Sequence, residues 1–204
     1  MRRRILCYGD SNTYGYDPRS YLGGRYPESI RWTALLNTVD WEVINEGENG
    51  RAIPRLKVEI EAVIQSVCHS KADALVIMLG SNDLLQQPCP SAVICAERMA
   101  NFLSILLFKT SADLKVLLIA PTMGSGAWVS KPRTLPEARR LAECYETIAH
   151  RLGIGFADAE TWGIELAYDG AGQKMLCKRG NPTDKGKWIK AVRGKARIAR
   201  LNPA

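Results

Sequence analysis

The chain has 204 residues, of which 46% are hydrophobic and 24% charged, and a formal net charge of +7. This length and composition are typical of one globular domain and exclude a disordered, collagen-like or coiled-coil protein. No apolar run approaches the roughly 20 residues that span a bilayer, and the one after the basic start is too short for a secretory signal. We therefore expect a cytoplasmic protein without a membrane segment.

Five short apolar runs alternate with amphipathic stretches along the chain. The runs are rich in Ile, Leu and Val and are bounded by Gly, Asp, Asn or Pro, as buried parallel strands are. The predicted strands cover residues 4–8, 42–45, 74–79, 115–120 and 155–158. This alternation predicts an α/β fold, a three-layer α/β/α sandwich around a five-stranded parallel sheet of flavodoxin-like type.

Helical periodicity covers three of the stretches between these strands. One helix is predicted at 55–68, and a second runs to about residue 108 with Ser91 as its N-cap. A third opens at 134–137 with a capping-box pattern, in which Glu137 would reach back to the first amide of its own helix.

The charge distribution indicates which partners the protein could have, and the cysteines indicate its redox environment. Residues 173–204 contain ten lysines and arginines and one acidic residue, whereas residues 1–172 contain 18 basic and 20 acidic residues. The charge change predicts a domain at 1–172 and a basic C-terminal segment at 173–204, which we expect to be an atypical or frame-altered closing helix of the same domain. This segment could contact nucleic acid or another polyanion. The six cysteines have no zinc-site spacing and are typical of reduced thiols, with disulfides in an exported protein as the alternative. We expect no metal and no cofactor.

Polar residues follow the first three predicted strands, where ligands bind in such sheets. Ser11 follows the first strand, Gly50 the second and Asn82 the third. A serine can attack an acyl group, and a glycine N–H and an asparagine amide can donate to the resulting oxyanion. Each also has an ordinary interpretation, as helix N-cap, loop glycine and turn residue. The occurrence of all three residues after successive strands of one sheet favours an acyl-transfer site.

The segments that contain these residues resemble three sequence blocks of the SGNH (GDSL-type) hydrolases. They are Gly-Asp-Ser at 9–11 followed by Thr13, Asn-x-Gly-x-x-Gly at 45–50, and Gly-x-Asn-Asp at 80–83. The resemblance covers residues 2–170 and extends to the arylesterase and acyltransferase branch. It implies the three-layer fold, hydrolysis of small acyl or aryl esters without a metal, and assembly as a homo-oligomer.

The resemblance also implies a role for each matching residue. Ser11 matches the nucleophile. The oxyanion donors of the family match the main-chain N–H groups of Ser11 and Gly50 and the side-chain amide of Asn82. Asp10 and Asp83 match acids that support the loops.

The fourth block departs from the family pattern Asp-x-x-His, in which the histidine is the general base and the aspartate orients it. Asp169 stands at the aspartate position, but Gly172 stands at the histidine position, and in a second candidate segment Asn181 does. No histidine follows His150, and we expect both His69 and His150 to lie away from the site because of the helices that carry them.

The missing histidine coincides with the start of the basic segment. An evolved divergence and a reading-frame shift near codon 170 both explain this, and the coincidence favours the frame shift. The sequence therefore predicts a serine esterase with impaired activity and a small-molecule ester as substrate. The alternative is a non-catalytic SGNH-fold binding protein whose basic segment contacts nucleic acid or another polyanion. A nucleotide enzyme is disfavoured because no phosphate-binding glycine motif is present.

Overall fold

A five-stranded parallel sheet forms the centre of the protein. The computed structural model describes residues 2–17, 20, 22, 24–122, 133–162, 166–168 and 174–176. The strands are β1 (Arg3–Gly9), β2 (Trp41–Gly47), β3 (Ala74–Met78), β4 (Lys115–Ala120) and β5 (Gly155–Asp158). Their order is β2-β1-β3-β4-β5, so the direction of winding reverses between β1 and β3. The predicted fold class is confirmed, because each predicted strand end lies within two residues of the observed one.

Helices and short turns connect the strands. The helices are α1 (Ser11–Tyr14), α2 (Lys57–Ser70), α3 (Ser81–Leu85), α4 (Ala92–Lys109) and α5 (Thr134–Leu152). Among the described residues, 3₁₀ turns lie at Glu28–Ile30, Trp32–Leu36 and Ala159–Trp162. An antiparallel pair, β6 (Leu166–Tyr168) and β7 (Lys174–Leu176), follows. This pair, α1 and α3 were not predicted, because strands of three residues and helices of four or five carry too little periodicity.

Both faces of the sheet are apolar, because successive side chains of a strand point to opposite faces and both are covered. One face packs against α2, α4 and α5 in a core that includes Leu6, Leu75, Ile77, Leu118, Phe102 and Tyr145. The opposite face includes Cys7, Val76, Met78 and Ile119, together with Trp32 and Leu36 from the second 3₁₀ turn. Because both faces are buried, the sequences of the strands are continuous apolar runs and do not alternate between apolar and polar residues.

The helix caps differ in part from the prediction. The Ser91 side chain accepts a hydrogen bond from the Ile94 N–H at 3.3 Å and caps α4, as predicted. The predicted capping box of α5 is wrong, because Arg133 precedes that helix without a side-chain cap bond. The Glu137 carboxylate instead accepts from the Ala92 N–H at 2.7 Å, so it stabilises the first turn of the neighbouring α4.

Three further expectations concern the whole chain. The described cysteines Cys7, Cys68, Cys89, Cys95 and Cys144 are free thiols. In the part of the chain that the structure describes, every helix is too short or too polar to cross a bilayer. The predicted boundary at 172–173 lies outside the described residues, as does most of the basic segment.

Candidate active site

The strand register brings three polar segments to one edge of the sheet. Gly9, the last residue of β1, pairs with Gly47 on one side and with Met78 on the other. The three strands therefore end at the same level, and residues 10–11, 48–50 and 79–82 leave the sheet together at its carboxyl edge. This edge lies at the switch point between β1 and β3, where doubly wound sheets bind their ligands.

Ser11 is the first residue of α1 and is half-buried. The N-cap of this helix is Asp10, whose Oδ1 accepts a hydrogen bond from the Asn12 N–H at 2.9 Å. The ordinary interpretation of Ser11 as the N-cap is therefore wrong. The Ser11 carbonyl accepts from the Gly15 N–H at 3.0 Å, which closes the short helix.

Two glycines allow α1 to lie directly against the strand ends. A Cβ atom added to Gly47 would stand 2.0 Å from the Tyr14 nitrogen, and one added to Gly9 would stand 2.0 Å from the Thr13 Oγ1. Only glycine permits so close an approach. Asn45 completes the junction, because its Nδ2 donates to the Thr13 carbonyl at 2.7 Å.

The loop after β2 contains Gly50, which is exposed and has a φ of +78°. A Cβ atom at this position would meet no atom within 4 Å, so the need for glycine is conformational and not a matter of space. The start of the loop is tied to β1, because the Glu48 N–H donates to the Gly9 carbonyl at 3.1 Å.

Asn82 lies in α3 and is half-buried. Its Nδ2 donates to the Arg51 carbonyl at 2.9 Å. Because only the NH₂ group of an amide can donate to a carbonyl, this bond fixes the orientation of the side chain. The NH₂ group has a second hydrogen, which this bond does not use.

The next residue, Asp83, is completely buried and pairs with two arginines. Its Oδ2 accepts from the Ile53 N–H at 2.9 Å, and its Oδ1 accepts from Arg55 Nη2 at 3.1 Å. Arg98 Nη1 lies 3.6 Å from the same Oδ1. The carboxylate therefore ties residues 53–55 to α3 and α4, and it takes part in the site through the loop that follows Gly50.

Asp10 is also completely buried. Burial raises the pKa of its carboxyl to about 6, against the lowering effect of the hydrogen bond from the Asn12 N–H. The negative charge of Asp83 raises the pKa of Asp10 further. The residue before Ser11 thus carries a proton more readily than an exposed aspartate.

Both histidines of the chain lie at the opposite, amino edge of the sheet. His69 is in the last turn of α2, with its ring Nδ1 2.8 Å from the Gln65 carbonyl oxygen, and His150 is in the last turn of α5. Just beyond α2, the Asp73 N–H donates to the Arg4 carbonyl near the start of β1. Neither histidine therefore lies beside Ser11. Asp169, Gly172 and Asn181 lie outside the described residues.

The sequence analysis missed Arg51, which follows Gly50 in the loop after β2. Its Nη1 donates to the Gly9 carbonyl at 3.1 Å and to the Glu46 carbonyl, and its Nη2 bonds Glu48 Oε2 at 2.7 Å. Its guanidinium carbon also lies 4.1 Å from the centre of the Tyr8 ring. An arginine in a loop gives no signal of these contacts, because they depend on how the strand ends meet.

The site offers no evident metal ligands. In the described parts of the chain, no group of three or more His, Cys, Asp and Glu side chains is arranged to hold a metal ion.

Comparison with known proteins gives the family. Solved structures similar to this chain include a proposed arylesterase from Agrobacterium tumefaciens str. C58, at 25% identity and a TM-score of 0.76 over 97% of this chain and 99% of that one. A carbohydrate acetylesterase family member from Sinorhizobium meliloti matches at 24% identity and a TM-score of 0.70 over 97% of each chain. The M. smegmatis aryl esterase matches at 21% and 0.68, over 97% of this chain and 99% of that one.

The search of curated proteins gave no match. The model of the GDSL-like lipase/acylhydrolase family, however, matches residues 7–189. This range contains Ser11, Gly50 and Asn82 and extends beyond the start of the basic segment. Because the match covers most of the chain, the protein belongs to the GDSL-like lipase/acylhydrolase family, as its sequence blocks predicted.

Proposed function

We propose that the protein is a serine ester hydrolase that acts on small acyl or aryl esters through Ser11. Membership of the GDSL-like lipase/acylhydrolase family supports the reaction class. The observation that carries the assignment of Ser11 is its position at the carboxyl edge between β1 and β3, in a helix that Asp10 caps. The serine is thereby relieved of the capping role that would otherwise explain its presence there.

In the proposed reaction, the Ser11 hydroxyl attacks the carbonyl carbon of the ester, and its proton passes to solvent water because neither histidine of the chain lies beside it. The carbonyl electrons move to the oxygen, and this oxyanion accepts hydrogen bonds from the N–H groups of Ser11 and Gly50 and from the Asn82 amide. Collapse of the intermediate breaks the bond to the alkoxide, which takes up a proton from water and leaves as the alcohol, and an acyl group remains on Ser11. Water then attacks the acyl group and releases the acid by the same route.

Asp10 and Asp83 support this arrangement without contact to the ester. Asp10 caps the helix that begins with Ser11, and Asp83 holds the loop that follows Gly50. Asp169 is proposed as the orienting carboxylate of the family motif, but in this chain it has no histidine at the expected spacing.

Because that histidine is absent, we propose a low rate of ester hydrolysis. A serine hydrolase that loses its base typically retains only the contribution of the oxyanion hole and of binding, and its rate falls roughly 10⁴- to 10⁶-fold below that of the complete enzyme. Since both histidines of the chain lie at the amino edge, we propose that Ser11 reacts slowly in this protein.

A fluorophosphonate probe tests the assignment of Ser11. The probe should label the wild-type protein slowly and should not label Ser11→Ala, while the melting temperature changes by no more than about two degrees, because Asp10 keeps the helix cap. Ser104→Ala is the matched control, since Ser104 bonds the Ala100 carbonyl within α4, and it should be labelled like the wild type. Equal labelling of Ser11→Ala would contradict the esterase proposal.

A second candidate function rests on the ten basic residues after position 172 and on the missing histidine. A non-catalytic binding protein would keep the pocket and use this segment to hold a polyanion. It would retain DNA with a steep dependence on salt concentration and would hydrolyse no ester in a Ser11-dependent way. The two measurements, made on the same preparation, distinguish the candidates.

A further inference from the structure

We infer that Arg51 is the positioning residue of the oxyanion hole, which it holds by joining the three segments that carry the donors. The inference rests on the proposed function of Ser11, Gly50 and Asn82. Arg51 itself need not contact the ester, because both terminal nitrogens of its guanidinium are bonded to the protein.

The guanidinium of Arg51 joins the ends of two strands. Its Nη1 donates to the carbonyls of Gly9 and Glu46, which lie at the carboxyl ends of β1 and β2. Its Nη2 bonds Glu48, and its flat face lies over the Tyr8 ring. The Arg51 side chain is 17% exposed, so its bonds to the two carbonyls are partly shielded from water, whereas the bond to Glu48 lies at the surface.

The main chain of Arg51 joins the third segment. Its carbonyl accepts the hydrogen bond from Asn82 Nδ2, and its own nitrogen follows Gly50 directly in the chain. One residue is therefore bonded to the strand that leads to Ser11, adjacent to Gly50 and bonded to Asn82. A change in the position of the Arg51 backbone would move two of the three proposed donors.

The loop needs such a support because of its conformation. Gly50 is exposed and has a φ of +78°, and it lies in a turn that one long hydrogen bond closes, from the Arg51 N–H to the Glu48 carbonyl at 3.3 Å. Oxyanion stabilisation depends on donors that are already oriented before the charge develops, and displacements of about 1 Å are costly. Asp83 fixes residues 53–55, beyond Arg51, and main-chain bonds hold the start of the turn at Glu48, so the guanidinium is the side chain that ties this turn to both strand ends.

The chemistry of the contacts requires arginine. A guanidinium presents its donors in a rigid plane and can bond two carbonyls and a carboxylate while its face stacks on an aromatic ring. A lysine carries one charged nitrogen on a flexible stem and cannot form this set of contacts. Replacement of Arg51 by lysine should therefore preserve charge but not the position of the donors.

The test compares Arg51→Met and Arg51→Lys with the wild type in the hydrolysis of para-nitrophenyl acetate, with the rate of Ser11→Ala subtracted. Because an oxyanion donor contributes about 10²–10³ in kcat, partial misplacement of two donors should lower kcat by about tenfold or more. KM should change by less than about twofold, since the ground-state ester gains little from the donors.

Arg4→Met is the matched control. Arg4 also bonds a main-chain carbonyl, that of Ser70, and a glutamate of β2, Glu42, but it does so at the amino edge of the sheet. Its loss should leave kcat within about twofold of the wild type, because it touches none of the donor segments. If Arg51→Met is not folded, Arg51→Lys carries the test. Wild-type kcat in a folded Arg51 variant, or equal losses at Arg4 and Arg51, would overturn the inference.

A second measurement separates this inference from the proposed function. If the wild type has no Ser11-dependent turnover, the proposed function fails, and the positioning role is tested by NMR relaxation. The Gly50 amide should then have an order parameter near 0.85 in the wild type and below about 0.6 in Arg51→Met, and the Asn82 side-chain amide should lose order as well. Unchanged order at both groups would overturn the inference in either case.

Discussion

The carboxylate of Asp10 accepts a hydrogen bond from the Asn12 main-chain N–H at 2.9 Å, across the residue proposed as the nucleophile. This bond makes Asp10, and not Ser11, the cap of α1. The cap is unusual because the carboxylate is completely buried, and burial raises its pKa to about 6. The cap should therefore respond to pH.

The first prediction is that Asp10→Asn changes how stability depends on pH. The pKa of Asp10 is raised from 3.8 to about 6 on folding, so between these pH values the folded protein binds more protons than the unfolded chain. The free energy of unfolding of the wild type should fall as pH rises through this window, by about 3 kcal/mol from this residue. The asparagine still caps the helix but does not titrate.

Urea unfolding of the two proteins between pH 4 and pH 7.5 measures this effect. The difference in the free energy of unfolding, variant minus wild type, should become more positive as pH rises to about 6 and then remain constant. The comparison cancels the contribution of the other titrating groups, which both proteins share. A difference that does not depend on pH would show that Asp10 has an ordinary pKa.

The second prediction concerns Asn82. Asn82→Asp keeps the size of the side chain but removes its donors, and Asn82→Ala removes the side chain. Both should lower kcat by about 10²–10³ with little change in KM, because the amide acts on the charged intermediate. A merely structural Asn82 would lower stability through the lost bond to Arg51 and would change both kinetic constants together.

The fold could be predicted because its signals are local. The apolar runs of β1, β3 and β4 identify buried strands without reference to any partner, and Ser91 marks the start of α4 within one turn of chain. The capping box of α5 failed for the opposite reason. Glu137 has the right spacing for a local bond, but the Ala92 N–H, 45 residues away in sequence, takes its carboxylate in the folded protein.

In the candidate site, too, some residues could be predicted from the sequence and others could not. Ser11, Gly50 and Asn82 could be named in advance because each follows a strand, and the common edge of a parallel sheet is a rule of the fold. The contacts of Arg51 could not be predicted, because they involve carbonyls that come together only after β1 and β2 pair. Carbonyls occur at every residue, so the sequence gives no pattern for such bonds.

The third prediction compares two glycines of the second sequence block. Gly47→Ala should destabilise the protein by several kcal/mol, because its Cβ would stand 2.0 Å from the Tyr14 nitrogen and would push α1 off the strand ends. Gly50→Ala should cost only about 1–2 kcal/mol, the penalty of a left-handed backbone with open space around it. Urea unfolding of both variants measures the difference. Equal losses would mean that α1 can move away from Gly47 at little cost.

The fourth prediction concerns the missing general base. Gly172→His restores Asp-x-x-His with Asp169 by spacing alone. A base must come within about 3 Å of the serine hydroxyl, and an error of about 1 Å is costly. If a reading-frame shift replaced the original ending, the segment after Asp169 has lost the sequence that held it at the site. The single substitution should then recover little activity, whereas replacement of residues 171–204 by the alternative-frame ending should recover much more.

An evolved divergence predicts a different result, because the pocket would have changed together with the base, and neither repair should raise the rate. Turnover of para-nitrophenyl acetate by the wild type and the two repaired proteins, with Ser11→Ala as background, distinguishes these outcomes. A wild type as fast as either repaired protein would contradict the absence of a base. Since His69 and His150 lie at the amino edge of the sheet, the proton would then have to pass to a group other than histidine.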